Sequence, residues 1–104
     1  MNFKNIEPQE FRDLIGKEGH VVIDVRGPEE LVEGSIPGYK LINMFDASFK
    51  AEIDELDKSK TYLIYCRSGS RSGRACAYME SLGFENLYNL SGGIIAWNKS
   101  SVVA

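Results

Sequence analysis

Two stretches of the chain are apolar almost without interruption, and both are short: HVVIDV, from His20 to Val25, and TYLIYC, from Thr61 to Cys66. Continuous β-branched and aromatic residues at that length predict strands covered on both faces, as in a parallel sheet. KLINM, from Lys40 to Met44, and NLYNL, from Asn86 to Leu90, are shorter strand candidates. Elsewhere apolar residues recur at helical spacing. PQEFRDLIGK sets Phe11, Leu14 and Ile15 on one face, with Pro8 suited to a first turn and Gly16 near the end. PEELVEG opens on Pro28 and stops by Gly34, while DASFKAEIDEL offers Asp46 as a cap and Phe49, Ile53 and Leu56 as an apolar stripe. Both predict helices lying on a sheet face. From Ser70 to Leu82 the positions of Ala75, Tyr78, Met79 and Leu82 mark a further helix, with Gly83 placed to end it, and GGIIAWNK predicts a last short one.

Strands that alternate with helices imply right-handed crossovers and an open α/β fold, whose ligands bind beyond the carboxyl ends of the strands. Cys66 stands at such an end. A chain of 104 residues suits one domain, here 1–104, and 43% hydrophobic with 26% charged residues is a globular composition. There is no internal repeat or linker. A net charge of −3 argues against general affinity for nucleic acid, so any basic patch must be local. Polar residues interrupt the N-terminus and the apolar runs are short, which leaves neither a signal segment nor a membrane span and makes a cytoplasmic protein the simplest expectation. A domain of this size can stand as a monomer. Two cysteines and one histidine are too few for a structural metal site or a disulfide framework, so no metal or cofactor is expected and the thiols are expected to stay reduced.

The chemistry gathers in IYCRSGSRSGRAC, from Ile64 to Cys76, where Arg67, Arg71 and Arg74, three of the chain's five arginines, follow Cys66. A Gly- and Ser-containing turn between a buried strand and a helix can converge its backbone N–H groups on one point, and the helix N-terminus adds partial positive charge. A cysteine there is expected to be a thiolate, the nucleophilic form, with Arg67 and Arg71 lowering its pKa further and offering forked donors to an oxyanion. Gly69 lets the backbone approach that anion. The alternative is an inert buried cysteine beside a solvated basic turn, but inert cysteines sit in apolar surroundings.

Three blocks, DVRGPEELVEGSIPG, YCRSGSRS and LSGGIIAW, together resemble the single-domain rhodanese, or thiosulfate sulfurtransferase, family, and they span Asp24 to Trp97 in the family's order. The resemblance implies an open parallel β-sheet of about five strands flanked by helices on both faces. It also implies that Cys66 carries sulfane sulfur as a persulfide. Arg67, Ser68, Gly69, Ser70, Arg71 and Ser72 would form the substrate-binding loop, with Arg71 closing it, and Asp24 and Arg26 would brace the loop without reacting. The implied partners are thiosulfate or a similar anionic donor and a cyanide, thiol or protein acceptor. Phosphatases of related fold place one residue more between cysteine and arginine than the four found here, so this shorter ring suits a single sulfur atom better than a phosphoryl group. Two other readings stand beside turnover of thiosulfate. One is a relay module fed by a protein such as a cysteine desulfurase. The other is a non-catalytic interaction domain, against which the intact Cys66 and both loop arginines speak.

Other residues have plainer expectations. His20, the sole histidine, precedes its strand at the end opposite the loop. Cys76 reads as a small buried hydrophobe, with a resolving thiol as its alternative. Trp97, Ile94 and Ile95 read as core or pocket wall, and Tyr39 as a residue that could line the mouth. Ser35 stands where the family commonly has histidine, which removes whatever contact that histidine makes. Ser70 replaces a more frequent asparagine and, like it, can cap a helix.

Overall fold

The computed structural model describes residues 3–101. Five parallel strands form one open sheet in the order β1-β5-β4-β2-β3. They are β1 (Lys4–Ile6), β2 (His20–Asp24), β3 (Tyr39–Leu41), β4 (Thr61–Tyr65) and β5 (Asn86–Leu90). Four α-helices accompany them: α1 (Pro8–Leu14), α2 (Phe49–Asp54), α3 (Ser70–Ser81) and α4 (Gly93–Ser101).

The period of two along β4 divides the core into two layers. Leu63 and Tyr65 face one side, where they pack with Phe11 of α1 and Ile94 and Trp97 of α4. Tyr62, Ile64 and Cys66 face the other, against Phe49 and Ile53 of α2 and Ala75, Cys76 and Met79 of α3. Helices therefore cover both faces, as expected, and β4 has no polar face because it has no exposed one. Phe11 makes edge-on contacts with Tyr65 and Trp97, at centroid separations of 6.5 and 6.2 Å, and Arg12 lies 4.1 Å over the Trp97 ring. Helix α3 ends as its sequence suggests: Phe84 N–H reaches the Met79 carbonyl and Gly83 N–H that of Glu80, so a glycine at positive φ closes the last turn.

Several sequence expectations are corrected. Strand β1 went unforeseen. PEELVEG forms a 3-10 helix, Pro28–Glu33, with none of its residues buried, so it does not lie on the sheet as an α-helix would. Its apolar positions are only Leu31 and Val32, adjacent in sequence, too few for a helical stripe. Strand β3 begins at Tyr39 and stops at Leu41, short of the predicted Met44. Helix α2 starts at Phe49 with Ser48 at the N-cap position, so Asp46 does not cap it. Gly69, not Ser70, occupies the N-cap position of α3.

Candidate active site

Beyond Tyr65, at the carboxyl end of the middle strand, the chain turns through residues 66–69 into α3. A trans peptide points its C=O and N–H in opposite directions, so holding the carbonyls of Cys66, Arg67 and Gly69 fixes the direction of the amides that share those peptides, the N–H groups of Arg67, Ser68 and Ser70. The first turn of α4 holds the first two. Ile94 N–H donates to the Cys66 carbonyl at 2.9 Å and Ile95 N–H to that of Arg67 at 3.2 Å. Gly93, at φ 59°, brings the backbone so close that a Cβ there would overlap the carbonyls of Arg67 and Cys66. On the other side the Gly69 carbonyl accepts from Gly73 N–H and from Asn89 Nδ2, both at 3.1 Å.

Donors of this turn and of the first turn of α3 converge on sulfur. Gly69 N–H lies 3.1 Å from Cys66 Sγ, Ser72 N–H 3.4 Å and the Ser72 hydroxyl 3.3 Å, each placed to donate. Gly69 meets the turn's need for φ 101°, and a side chain there would press on the Leu90 carbonyl at 3.2 Å. Burial alone would push the Cys66 thiol up, since a charge loses water on entering the protein. The Ser72 hydroxyl and the amides of Ser72, Gly69 and Ser68 outweigh this and hold the pKa below the ordinary cysteine value. Cys76, one turn of α3 further on, lacks such donors, and burial pushes its thiol up to about 12. It packs as the small hydrophobe expected.

The arginines are placed differently from the expectation. The Arg71 guanidinium grips Glu30 with both branches, Nη1 to Oε2 and Nη2 to Oε1, each at 2.8 Å. Arg67 Nε meets Glu33 Oε1 at 3.0 Å, with both side chains substantially exposed. Both forks turn toward the 3-10 helix, so the thiol's acidity comes chiefly from hydrogen bonds within the loop. Arg74 is exposed on α3. Asp24 and Arg26 are fully buried and paired, with Arg26 Nη2 2.7 Å from Asp24 Oδ2. Arg26 then donates to the carbonyls of Glu30 at 3.1 Å and Gly34 at 2.8 Å. The pair braces the 3-10 helix directly, and Arg26 also lies 5.4 Å over the ring of Tyr65, the residue before Cys66.

Ser68 and Ser70 are exposed at the turn. Tyr39 is level with Val22, whereas the loop begins beyond Asp24, so it does not line the mouth. Trp97 and Ile94 belong to the core. His20 starts β2 at the far end, with Nδ1 3.0 Å from the Glu18 carbonyl. Ser35 is exposed beside Ile36, whose N–H donates to the Tyr65 hydroxyl at 3.1 Å. Glu30, Glu33 and Asn89 were missed from sequence. The signals were an acidic run in a chain whose arginines cluster after Cys66, and an asparagine amid the apolar residues of β5. Among the described residues no group of three or more His, Cys, Asp or Glu side chains could hold a metal ion, and no helix is long and apolar enough to cross a membrane.

The chain matches the family described as rhodanese-like domain over residues 7–100. It belongs to that family. A sulfurtransferase of Allochromatium vinosum is 39% identical over 84 residues, covering 81% of this chain and 77% of that protein. The thiosulfate sulfurtransferase GlpE of Pseudomonas putida is 36% identical over 96 residues, covering 91% of this chain and 84% of that protein. Among solved structures, a rhodanese-like domain protein from Staphylococcus aureus superimposes with a TM-score of 0.77 at 33% identity, covering 90% of each chain. The rhodanese-like fold expected from the three blocks is thus the fold observed, with five parallel strands and helices on both faces.

Proposed function

We propose that this rhodanese-like protein is a sulfurtransferase that carries sulfane sulfur on Cys66, taking it from thiosulfate or a similar anionic donor. The observation that carries this reading is the ring of donors around Sγ, aimed at an anion of one atom's size. The Cys66 thiolate attacks the outer sulfur of thiosulfate, the bond between the two sulfurs breaks, and sulfite leaves with the electron pair. The persulfide anion is then held by the same amides and hydroxyl, in the manner of an oxyanion hole. A thiolate or cyanide attacks the outer sulfur and releases the Cys66 thiolate. No separate general base is invoked: the loop's hydrogen bonds, which hold the Cys66 pKa below the ordinary cysteine value, favour the thiolate. The names of the Allochromatium and Pseudomonas relatives support the same chemistry.

A second reading, a relay that takes persulfide sulfur from a protein thiol, is favoured by one observation: the Arg71 fork that would receive a small anion is already filled by Glu30. An interaction domain without chemistry is disfavoured, since a binding scaffold has no use for a thiol of lowered pKa inside a ring of donors.

Intact mass before and after exposure to thiosulfate tests the proposal, with Cys66→Ser and Cys76→Ser beside wild type. Gain of one sulfur that requires Cys66, ignores Cys76 and is reversed by cyanide is the expected result. Uptake that survives Cys66→Ser would end the mechanism. No uptake from thiosulfate, with uptake from a persulfidated cysteine desulfurase, would select the relay.

A further inference from the structure

Asn89 is a polar residue at a position that suits an apolar one. It lies on β5 in register with Ile64 of β4 and Asn5 of β1, and is only 4% exposed. Leu87, two residues earlier on the same face, belongs to the core beside α3. The Asn89 amide uses both of its protons: Nδ2 donates to the Gly69 carbonyl at 3.1 Å and to Asn5 Oδ1 at 2.8 Å. Its orientation is set by chemistry, since a flipped amide would turn an oxygen on the Gly69 carbonyl, which can only accept. Oδ1, by contrast, is buried and has no hydrogen-bond partner among the described residues. A buried acceptor without a partner lowers stability, and a leucine at this position would carry no such penalty. The amide is therefore placed for what it donates to.

Sγ is delivered by β4, whereas the Gly69 N–H, the Ser72 N–H and the Ser72 hydroxyl that face it, at 3.1, 3.4 and 3.3 Å, belong to α3 and its N-cap. Those distances hold only while the first turn of α3 keeps its place over the sheet. Gly69, at φ 101° and ψ −8°, has no side chain to fix it there. Its carbonyl has two donors. Gly73 N–H, at 3.1 Å, is part of α3 and moves with it, while Asn89 Nδ2 is part of the sheet. The Asn89 bond thus ties a residue that donates to Sγ to the sheet that carries Sγ. A Cβ at Gly73 would meet Asn89 Nδ2 at 3.4 Å, so a glycine inside the helix keeps the approach open.

We propose that Asn89 is a positioning residue for the chemistry of Cys66: by holding the Gly69 carbonyl from β5, it keeps the Gly69 N–H and the first turn of α3 aimed at Sγ. The inference rests on Cys66 being the reactive thiol of the proposed function, and it holds whether thiosulfate or a protein thiol supplies the sulfur.

Asn89→Leu keeps the size of the side chain and removes its donors. Alkylation of Cys66 by iodoacetamide, in which the thiolate attacks the methylene carbon and iodide leaves, reads the site without any sulfur transfer. Its rate across pH, followed by intact mass in a Cys76→Ser background, gives the midpoint at which the thiol ionises. Asn89→Leu should raise that midpoint by about one unit, the scale of one weakened hydrogen bond to a charged group, so that well below it the rate falls about tenfold. Arg71, whose charge the thiolate feels, is the same in both proteins, so the shift reports the aim of the donors. Thermal melting should stay close to that of the parent, because leucine removes the two hydrogen bonds and the unpaired oxygen together. Asn89→Val, whose branched side chain suits a strand, carries the test if circular dichroism shows Asn89→Leu unfolded. Asn5→Ala should leave the midpoint in place, since the bond to Gly69 survives it.

A folded Asn89 variant whose midpoint does not move would overturn the proposal, whatever its melting temperature. An Asn5→Ala shift as large as that of Asn89→Leu would also overturn it, since the cause would then be the docking of the edge strand β1. Thiosulfate loading of the same proteins separates this inference from the function it rests on. A moved midpoint in a protein that takes up no sulfur from thiosulfate would uphold the positioning role and remove thiosulfate as the donor.

Discussion

Ser72 gives Cys66 both a hydroxyl and an amide, and its hydroxyl is the foremost of the groups that offset burial and lower the thiol's pKa. Hydrogen bonds to a charged group contribute about 1.5–3 kcal/mol, and one pKa unit corresponds to about 1.4 kcal/mol. Ser72→Ala should therefore move the midpoint of Cys66 alkylation against pH upward by about one to two units. Iodoacetamide rates across pH, with Cys76→Ser as background, would show it, and an unmoved midpoint would shift the credit to the backbone amides. The position of Cys66 and the convergence of the turn were legible in the sequence, because a strand end followed by Gly and Ser residues specifies them locally. The direction of the arginines was not. Glu30 and Arg71 stand far apart in the chain, and only the folded 3-10 helix brings a carboxylate to the fork.

The cradle is made by four elements: β4 delivers the sulfur, α3 the inward amides, and α4 and β5 the groups that hold the carbonyls outward. Gly93→Ala tests the third of these, since its Cβ would overlap the Cys66 and Arg67 carbonyls. The backbone shift this demands should cost about 2–3 kcal/mol, on the scale of an overpacked core, and lower the melting temperature by roughly 10 °C or more. The Cys66 alkylation midpoint should rise with it, because the amides lose their aim. A full-strength melt with an unchanged midpoint would mean that α4 merely packs against the loop. Strands β2 and β4 were plain in the sequence since both of their faces are buried. Strand β1 was not, because it is a three-residue edge whose Lys4 and Asn5 are exposed, leaving only Ile6 to signal it. The 3-10 helix was misread for a related reason: a proline start and an acidic first turn suit either kind of helix, and with none of its residues buried the choice is made by Arg26 gripping its carbonyls.

Across the whole molecule, stability and reactivity have separate anchors. Arg26 is fully buried and pairs with Asp24, which is fully buried as well. Arg26→Met would leave that carboxylate buried without its cation, at about 3–5 kcal/mol, a large share of the roughly 5–15 kcal/mol that holds a small domain together. Urea unfolding should show it plainly, whereas Cys66→Ser should unfold close to wild type. Comparable midpoints for the two variants would mean that the buried pair is solvated in solution.

The dependence of the Cys66 turn on α4 also bears on how the protein is made. The amides of Ile94 and Ile95 belong to the final helix, so on a ribosome they emerge after every strand has been synthesised. Until they dock, the Cys66 and Arg67 carbonyls lack these two donors, and the turn that carries the sulfur lacks one of its braces. The sulfur's surroundings are therefore completed by contacts between distant parts of the chain, made once the strands before α4 are in place.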